Sequence, residues 1–123
     1  MLASSRGWVL GASGIVTAGG GLAALLSPHL LLRLVFGVES PQNVAVFFVR
    51  HWGVLIVVIG ALIALSASST EIRTPVLVAA AVEKFAIGFF AFFGPVKRTS
   101  GMTVMATVDG LFAILYVAYL AGL

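Results

Sequence analysis

The chain has 123 residues, 61% of them apolar and only 9% charged, with a mean hydropathy of +1.18. So few charges cannot supply the polar surface a water-soluble domain needs, so a soluble globular fold is excluded. Seven basic residues against four acidic ones leave a net charge of +3, but they are scattered rather than gathered in a patch, which argues against a nucleic-acid partner.

Read in windows of about 19 residues, the sequence resolves into four hydrophobic stretches of spanning length. They are Trp8–Ser27, Val44–Ser66, Pro75–Gly94 and Met102–Gly122. The expected fold is therefore all-α: one integral membrane domain over residues 1–123, an antiparallel four-helix bundle. Arg6 followed by an apolar run has the order of a signal peptide, but the run is long and broken by Gly11, Gly14 and Gly19–Gly21, so it is read as a retained first span. Gly7 and Gly11 in that span form a GxxxG pair suited to close packing of helices or subunits.

Between spans one and two lies SPHLLLRLVFGVESPQ, too short to cross a bilayer. Its leucines, with His29 and Arg33 four residues apart, read as a short helix lying in the interface with Arg33 reaching toward headgroups. Ser27-Pro28, Ser40-Pro41 and Thr74-Pro75 each read as an N-cap followed by proline at the first helical position. Gly94-Pro95 closes span three, and Thr99 or Ser100 caps span four.

The informative residues are the charges inside the spans. Each costs about 2.5–3.5 kcal/mol at a helix centre unless it finds a partner or water. Arg50 and His51 lie in span two, Glu83 and Lys84 in span three, Asp109 in span four. At a rise of 1.5 Å per residue, Arg50, His51 and Asp109 fall roughly 10 Å below one interface and Glu83 roughly 16 Å below the same one. Two acids and two bases at nearly one depth are expected to pair, Arg50 with Glu83 or Asp109, with Gly53 giving the guanidinium room. Glu83 and Lys84 are about 100° apart around their helix, so Lys84 is expected to serve a neighbouring span or a subunit interface. Tyr116 shares a helical stripe with Met105, Asp109 and Phe112, and Trp52 is the aromatic residue placed to join a pocket. Ala79, Ala80, Glu83, Ala86 and Ile87 form a small-residue face for close helix approach, and Phe85, Phe89, Phe92 and Phe93 a stripe for lipid or a partner helix.

The expected assignments follow. Glu83, Asp109 and His51 are candidate acid–base groups; Arg50, Lys84, Tyr116 and Trp52 are candidate ligand-binding groups. No metal or cofactor is expected, because cysteine is absent, two histidines are too few for a metal cage, and no P-loop or zinc spacing occurs. Ion pairs of this kind can equally be structural, fixing helix register.

The stretch LLSPHLLLRLVFGVESPQNVAVFFVRHWGVLIVVIGALIAL resembles small bacterial four-helix membrane proteins of the DoxX-like and related uncharacterised groups. The shared features are a first span ending at proline, an amphipathic segment, then an arginine near the start of span two followed by glycine-spaced apolar residues. The resemblance implies a bacterial inner-membrane protein, in a set linked to respiratory or sulfur-oxidising complexes and to quinone-related roles. It carries over no catalytic residue.

Three functions stay open. One is a site that binds an apolar small molecule (isoprenoid, quinone, sterol-like compound or lipid) and transforms it by proton transfer, as an isomerase, cyclase or epoxide hydrolase does. The second is a proton-coupled transporter completed by homo-oligomerisation, and the third a non-catalytic subunit of a larger membrane complex. By the positive-inside rule both termini are expected outside the cytoplasm.

Overall fold

The computed structural model describes residues 2–95 and 97–122, with side chains from residue 7 onward. Five helices follow in order: α1 (Leu2–Leu26), α2 (Pro28–Phe36), α3 (Asn43–Ser66), α4 (Thr70–Phe93) and α5 (Ser100–Leu120). Four of them contain segments long and apolar enough to cross a membrane: Gly7–Leu26, Asn43–Ser66, Thr70–Phe93 and Ser100–Leu120. Large apolar side chains cover the outside of the bundle, among them Leu55, Val58, Val82, Phe89 and Ile114. Water would not tolerate that surface, whereas lipid solvates it. The protein is an integral membrane protein, an all-α four-helix bundle with a short helix after the first span.

The four long helices form two antiparallel pairs, α1 with α3 and α4 with α5, joined mainly through α3 and α4. In lipid no hydrophobic force drives helices together, so close backbone approach and van der Waals contact decide the pairing. Glycine supplies that approach between α1 and α3. A Cβ on Gly14 would stand 2.5 Å from the Ala64 nitrogen, and one on Gly53 would stand 2.7 Å from the Gly21 carbonyl oxygen. Gly60 faces Gly14 and Ala18 in the same way, and Gly21 faces Gly53 and Val57. The contact glycines are thus seven residues apart on each helix. Gly7 and Gly11, the pair expected to pack closely, take no part in this crossing: a Cβ on either would have no atom within 4 Å.

The helix ends explain the boundaries. Ser27 and Pro28 begin α2 as expected, and Gly37, with φ of 72°, ends it in the left-handed conformation that glycine adopts without strain. Pro41 precedes the cap of α3, which is Gln42 rather than Ser40. Thr74-Pro75 does not open α4. The helix starts a turn earlier, after Ser69, and Pro75 lies inside it. The lost hydrogen bond is the one to the Glu71 carbonyl, in an exposed first turn, where it costs least. Arg73 turns back from this helix to α3, donating from Nε to the Ser66 carbonyl at 2.8 Å and from Nη2 to Ala67 at 3.1 Å. It satisfies two of the carbonyls that the end of α3 leaves free.

Two cores stack along the bundle. Near the α3–α4 turn, Leu10, Ile63, Leu77, Ala80, Tyr116 and Tyr119 pack together. Near α2, Ala91, Met102 and Ala106 pack with Val35 and Phe36. The short helix is docked on the start of α5, where Thr99 donates its hydroxyl to the Val35 carbonyl. Gly101 makes room, since a Cβ there would lie 2.7 Å from the Val35 Cα. Between the two cores the interior is not filled.

Candidate functional site

The buried face of α4 runs through Leu77, Ala80, Ala81, Lys84 and Ala91. It is turned from the expected face so that Lys84, not Glu83, points to the centre of the bundle. Ala79 is exposed, and so are Phe85, Phe89, Phe92 and Phe93, the outward stripe expected to face lipid or a partner helix. Lys84 is only 2% exposed and donates from Nζ to Asp109 Oδ1 at 3.1 Å. The two residues meet because each lies nine positions from the α2 end of its helix, Phe93 for one and Ser100 for the other, which is roughly 14 Å for both. The ammonium also lies 5.2 Å from the centre of the Phe112 ring, a favourable place for a cation.

These groups border a partly open cavity of about 210 Å³ to which all five helices contribute. Val16, Thr17 and Gly20 come from α1, Trp52 and Ile56 from α3, Glu83 and Lys84 from α4, and Met105, Val108, Asp109 and Phe112 from α5. Leu31 and Val35 of α2 close it at one end. At the other end Tyr116, fully buried, stacks on Phe112 with centroids 6.3 Å apart. Its hydroxyl donates to Ser13 Oγ at 2.8 Å, and Ser13 donates on to the Leu10 carbonyl at 3.1 Å, tying α5 to α1. The wall is mostly apolar. Val16 and Gly20 on α1 and Val108 on α5 are lining residues that are also exposed, so the opening lies along the α1–α5 seam and faces the bilayer.

Two buried polar atoms in this wall make no well-formed hydrogen bond among the described residues, Glu83 Oε2 and Thr17 Oγ1; Thr17 lies near the Tyr116 hydroxyl, so Glu83 is the more fully unpartnered of the two. Leaving such an atom unsatisfied costs about 1–3 kcal/mol. Glu83 lies within electrostatic range of both Lys84 and Asp109. Lys84 is the one cation among the described lining residues, against two carboxylates, and its ammonium is engaged by Asp109. With both carboxylates ionised the cluster would carry one net negative charge, which a proton or a positively charged group would neutralise.

Of the residues singled out from the sequence, Glu83, Lys84, Asp109 and Trp52 line one cavity, and Tyr116 adjoins it. Arg50 and His51 do not join them. Both are exposed and border a separate groove on the outside of α3, and the expected pairing of Arg50 with Glu83 or Asp109 is not formed. The reason is azimuth, not depth. The inward stripe of α3 is occupied by Gly53, Ile56, Gly60 and Ile63. Trp52 flanks it on the cavity side, which puts Arg50, two residues earlier and so about 200° around the helix, on the opposite flank. Gly53 does not accommodate the guanidinium; its open face is filled by the backbone of Gly21 and Leu25. One buried ion pair forms among the described residues where two were expected.

Sequence reasoning passed over Thr17, Ser13 and Gly20. The first two were findable: they are small polar residues four apart on one face of an apolar span. Among the described residues no three histidine or carboxylate groups converge on a point that could hold a metal ion. Compared with known proteins, the chain matches no family model, no curated protein and no solved structure.

Proposed function

We propose that this integral membrane protein binds an apolar small molecule, taken in from the bilayer through the α1–α5 seam, and that the molecule's polar end hydrogen-bonds Glu83 and Thr17. The observation that carries this reading is the pair of buried polar atoms without a well-formed hydrogen bond in one otherwise apolar, laterally open cavity. A carboxylate oxygen accepts and a hydroxyl both donates and accepts, so the matching ligand has a hydroxyl-like or similar donor on a hydrophobic body. An isoprenoid alcohol, a quinol or a sterol-like compound has that form. Glu83 is also placed to pass a proton to or from the bound group, which an isomerisation, cyclisation or epoxide opening would require. The sequence resemblance to DoxX-like proteins, if it reflects kinship, would favour the same reading, since quinone-related roles are among those it implies.

The charge count favours one second reading, exchange of a cationic amphiphile for a proton. Because Asp109 engages Lys84, the lysine next to Glu83 opposes a cation less than its position suggests.

Native mass spectrometry of the protein extracted gently with its own lipids tests both. Wild type is expected to retain a discrete apolar molecule that Glu83→Gln and Thr17→Val lose while remaining folded. A neutral retained molecule supports the first reading and a cationic one the second. Equal retention by all three proteins would overturn both.

A further inference from the structure

The groove that holds Arg50 and His51 is separate from the central cavity and has its own chemistry. It has a volume of about 480 Å³ and lies on the α1–α3 pair, with Leu25, Phe47 and Val54 as apolar wall and Asn43, Arg50 and His51 as polar wall. Arg50 is seven residues into α3, roughly 10 Å below the helix start, and among the described residues no carboxylate reaches it. A guanidinium at that depth, exposed on the outside of a membrane helix, needs an anion that the protein does not supply. The side chain is long enough to reach toward the α2 end of the bundle. That end carries Arg33, Lys97 and Arg98 as well, against Glu39 alone, and all four are exposed.

We propose that this groove is a phospholipid site: Arg50 holds the phosphate, with His51 and Asn43 beside it, and an acyl chain lies along Phe47 and Val54. The pieces match a phospholipid in order and in kind. The polar wall begins at Asn43, the first residue of α3, and the apolar wall continues deeper through Val54. Guanidinium and phosphate form charge-assisted, often paired hydrogen bonds, which lysine does not reproduce geometrically. The net positive charge of this end favours an anionic lipid over a zwitterionic one.

The test uses the full-length protein in a neutral detergent, titrated with dioleoylphosphatidylglycerol and, separately, dioleoylphosphatidylcholine, with bound lipids counted by native mass spectrometry. Wild type is expected to bind one phosphatidylglycerol more tightly than the rest and more tightly than phosphatidylcholine. Arg50→Gln weakens that first binding about tenfold or more, Arg50→Lys weakens it less, and Arg33→Gln and Lys97→Gln leave it within about twofold. Glu83→Gln leaves it unchanged, so failure here and failure of the cavity reading are separate results. Arg50 is exposed, so its variants are expected to melt with wild type, and a circular dichroism melt checks this. Equal affinity in wild type and Arg50→Gln would overturn the site. So would equal losses in Arg33→Gln, Lys97→Gln and Arg50→Gln, because diffuse attraction would then suffice.

Discussion

Replacing Lys84 by methionine removes the one cation among the described lining residues and leaves Asp109 and Glu83 facing each other across a largely apolar space. The side chain is 2% exposed and its partner's 18%, so water compensates little. A charge stranded near a helix centre costs about 2.5–3.5 kcal/mol, and breaking a buried pair from one side about 3–5 kcal/mol. We expect Lys84→Met to destabilise by about 3 kcal/mol, in the range where these agree. Asp109→Asn is expected to cost only about 1 kcal/mol, close to a single interhelical hydrogen bond in lipid. Its amide oxygen still accepts from the ammonium, and Glu83 remains within electrostatic range of Lys84. The double variant Lys84→Met/Asp109→Leu is expected to recover most of the loss, because an apolar replacement of a buried pair is often neutral. Unfolding in mixed micelles of increasing dodecyl sulfate, followed by tryptophan fluorescence, measures all three. If Asp109→Asn cost as much as Lys84→Met, the nearby Glu83 carboxylate would not be compensating the lysine's charge. If the losses in the double variant simply added, the ion pair would not be the source of either.

Two further outcomes follow from the packing. Gly14→Ala and Gly60→Ala put a methyl into opposing backbone and are expected to destabilise the α1–α3 pair by about 1–3 kcal/mol each, whereas Gly11→Ala, with nothing within 4 Å, is expected to be neutral or mildly stabilising in the same unfolding assay. Tyr116→Phe removes the bond to Ser13 Oγ and is expected to cost about 1 kcal/mol; no change would mean that this link does not hold α5 to α1.

Depth was legible in the sequence because every helical residue adds the same rise. The spans, the short helix ending at Gly37 and the placing of the buried charges of α4 and α5 within about one turn of a common level all follow from counting. Azimuth was not legible. Which stripe of a helix faces inward depends on where its neighbour offers small residues. On α3 the stripe through Gly53 and Gly60 is taken by Gly14 and Gly21 of α1, which turns Arg50 outward. On α4 the stripe through Ala80 and Ala81 turns Lys84 inward and moves Glu83 to the cavity wall. Proline misled at Thr74-Pro75 for a related reason. A missing N–H near a helix start is tolerated when its would-be acceptor is exposed, so the proline marks the region of the start rather than its first residue. Thr17 was legible only as a small polar residue four positions from Ser13 on one face of α1; that it shares a space with Glu83 depends on how the helices are turned.

The central claim is that the cavity between the two cores admits a molecule from the bilayer, and Gly20 allows it to be tested without touching a charge. Gly20 lines the cavity at its lateral opening, and a Cβ added there has no protein atom within 4 Å; the same holds for Gly19 next to it, which is outside the cavity wall. Retention of the co-extracted apolar molecule should therefore be measured in Gly20→Leu and Gly19→Leu, both expected to fold as wild type. The account predicts that Gly20→Leu loses the molecule and Gly19→Leu keeps it. Equal retention in the two would contradict it, because the molecule would then be bound elsewhere.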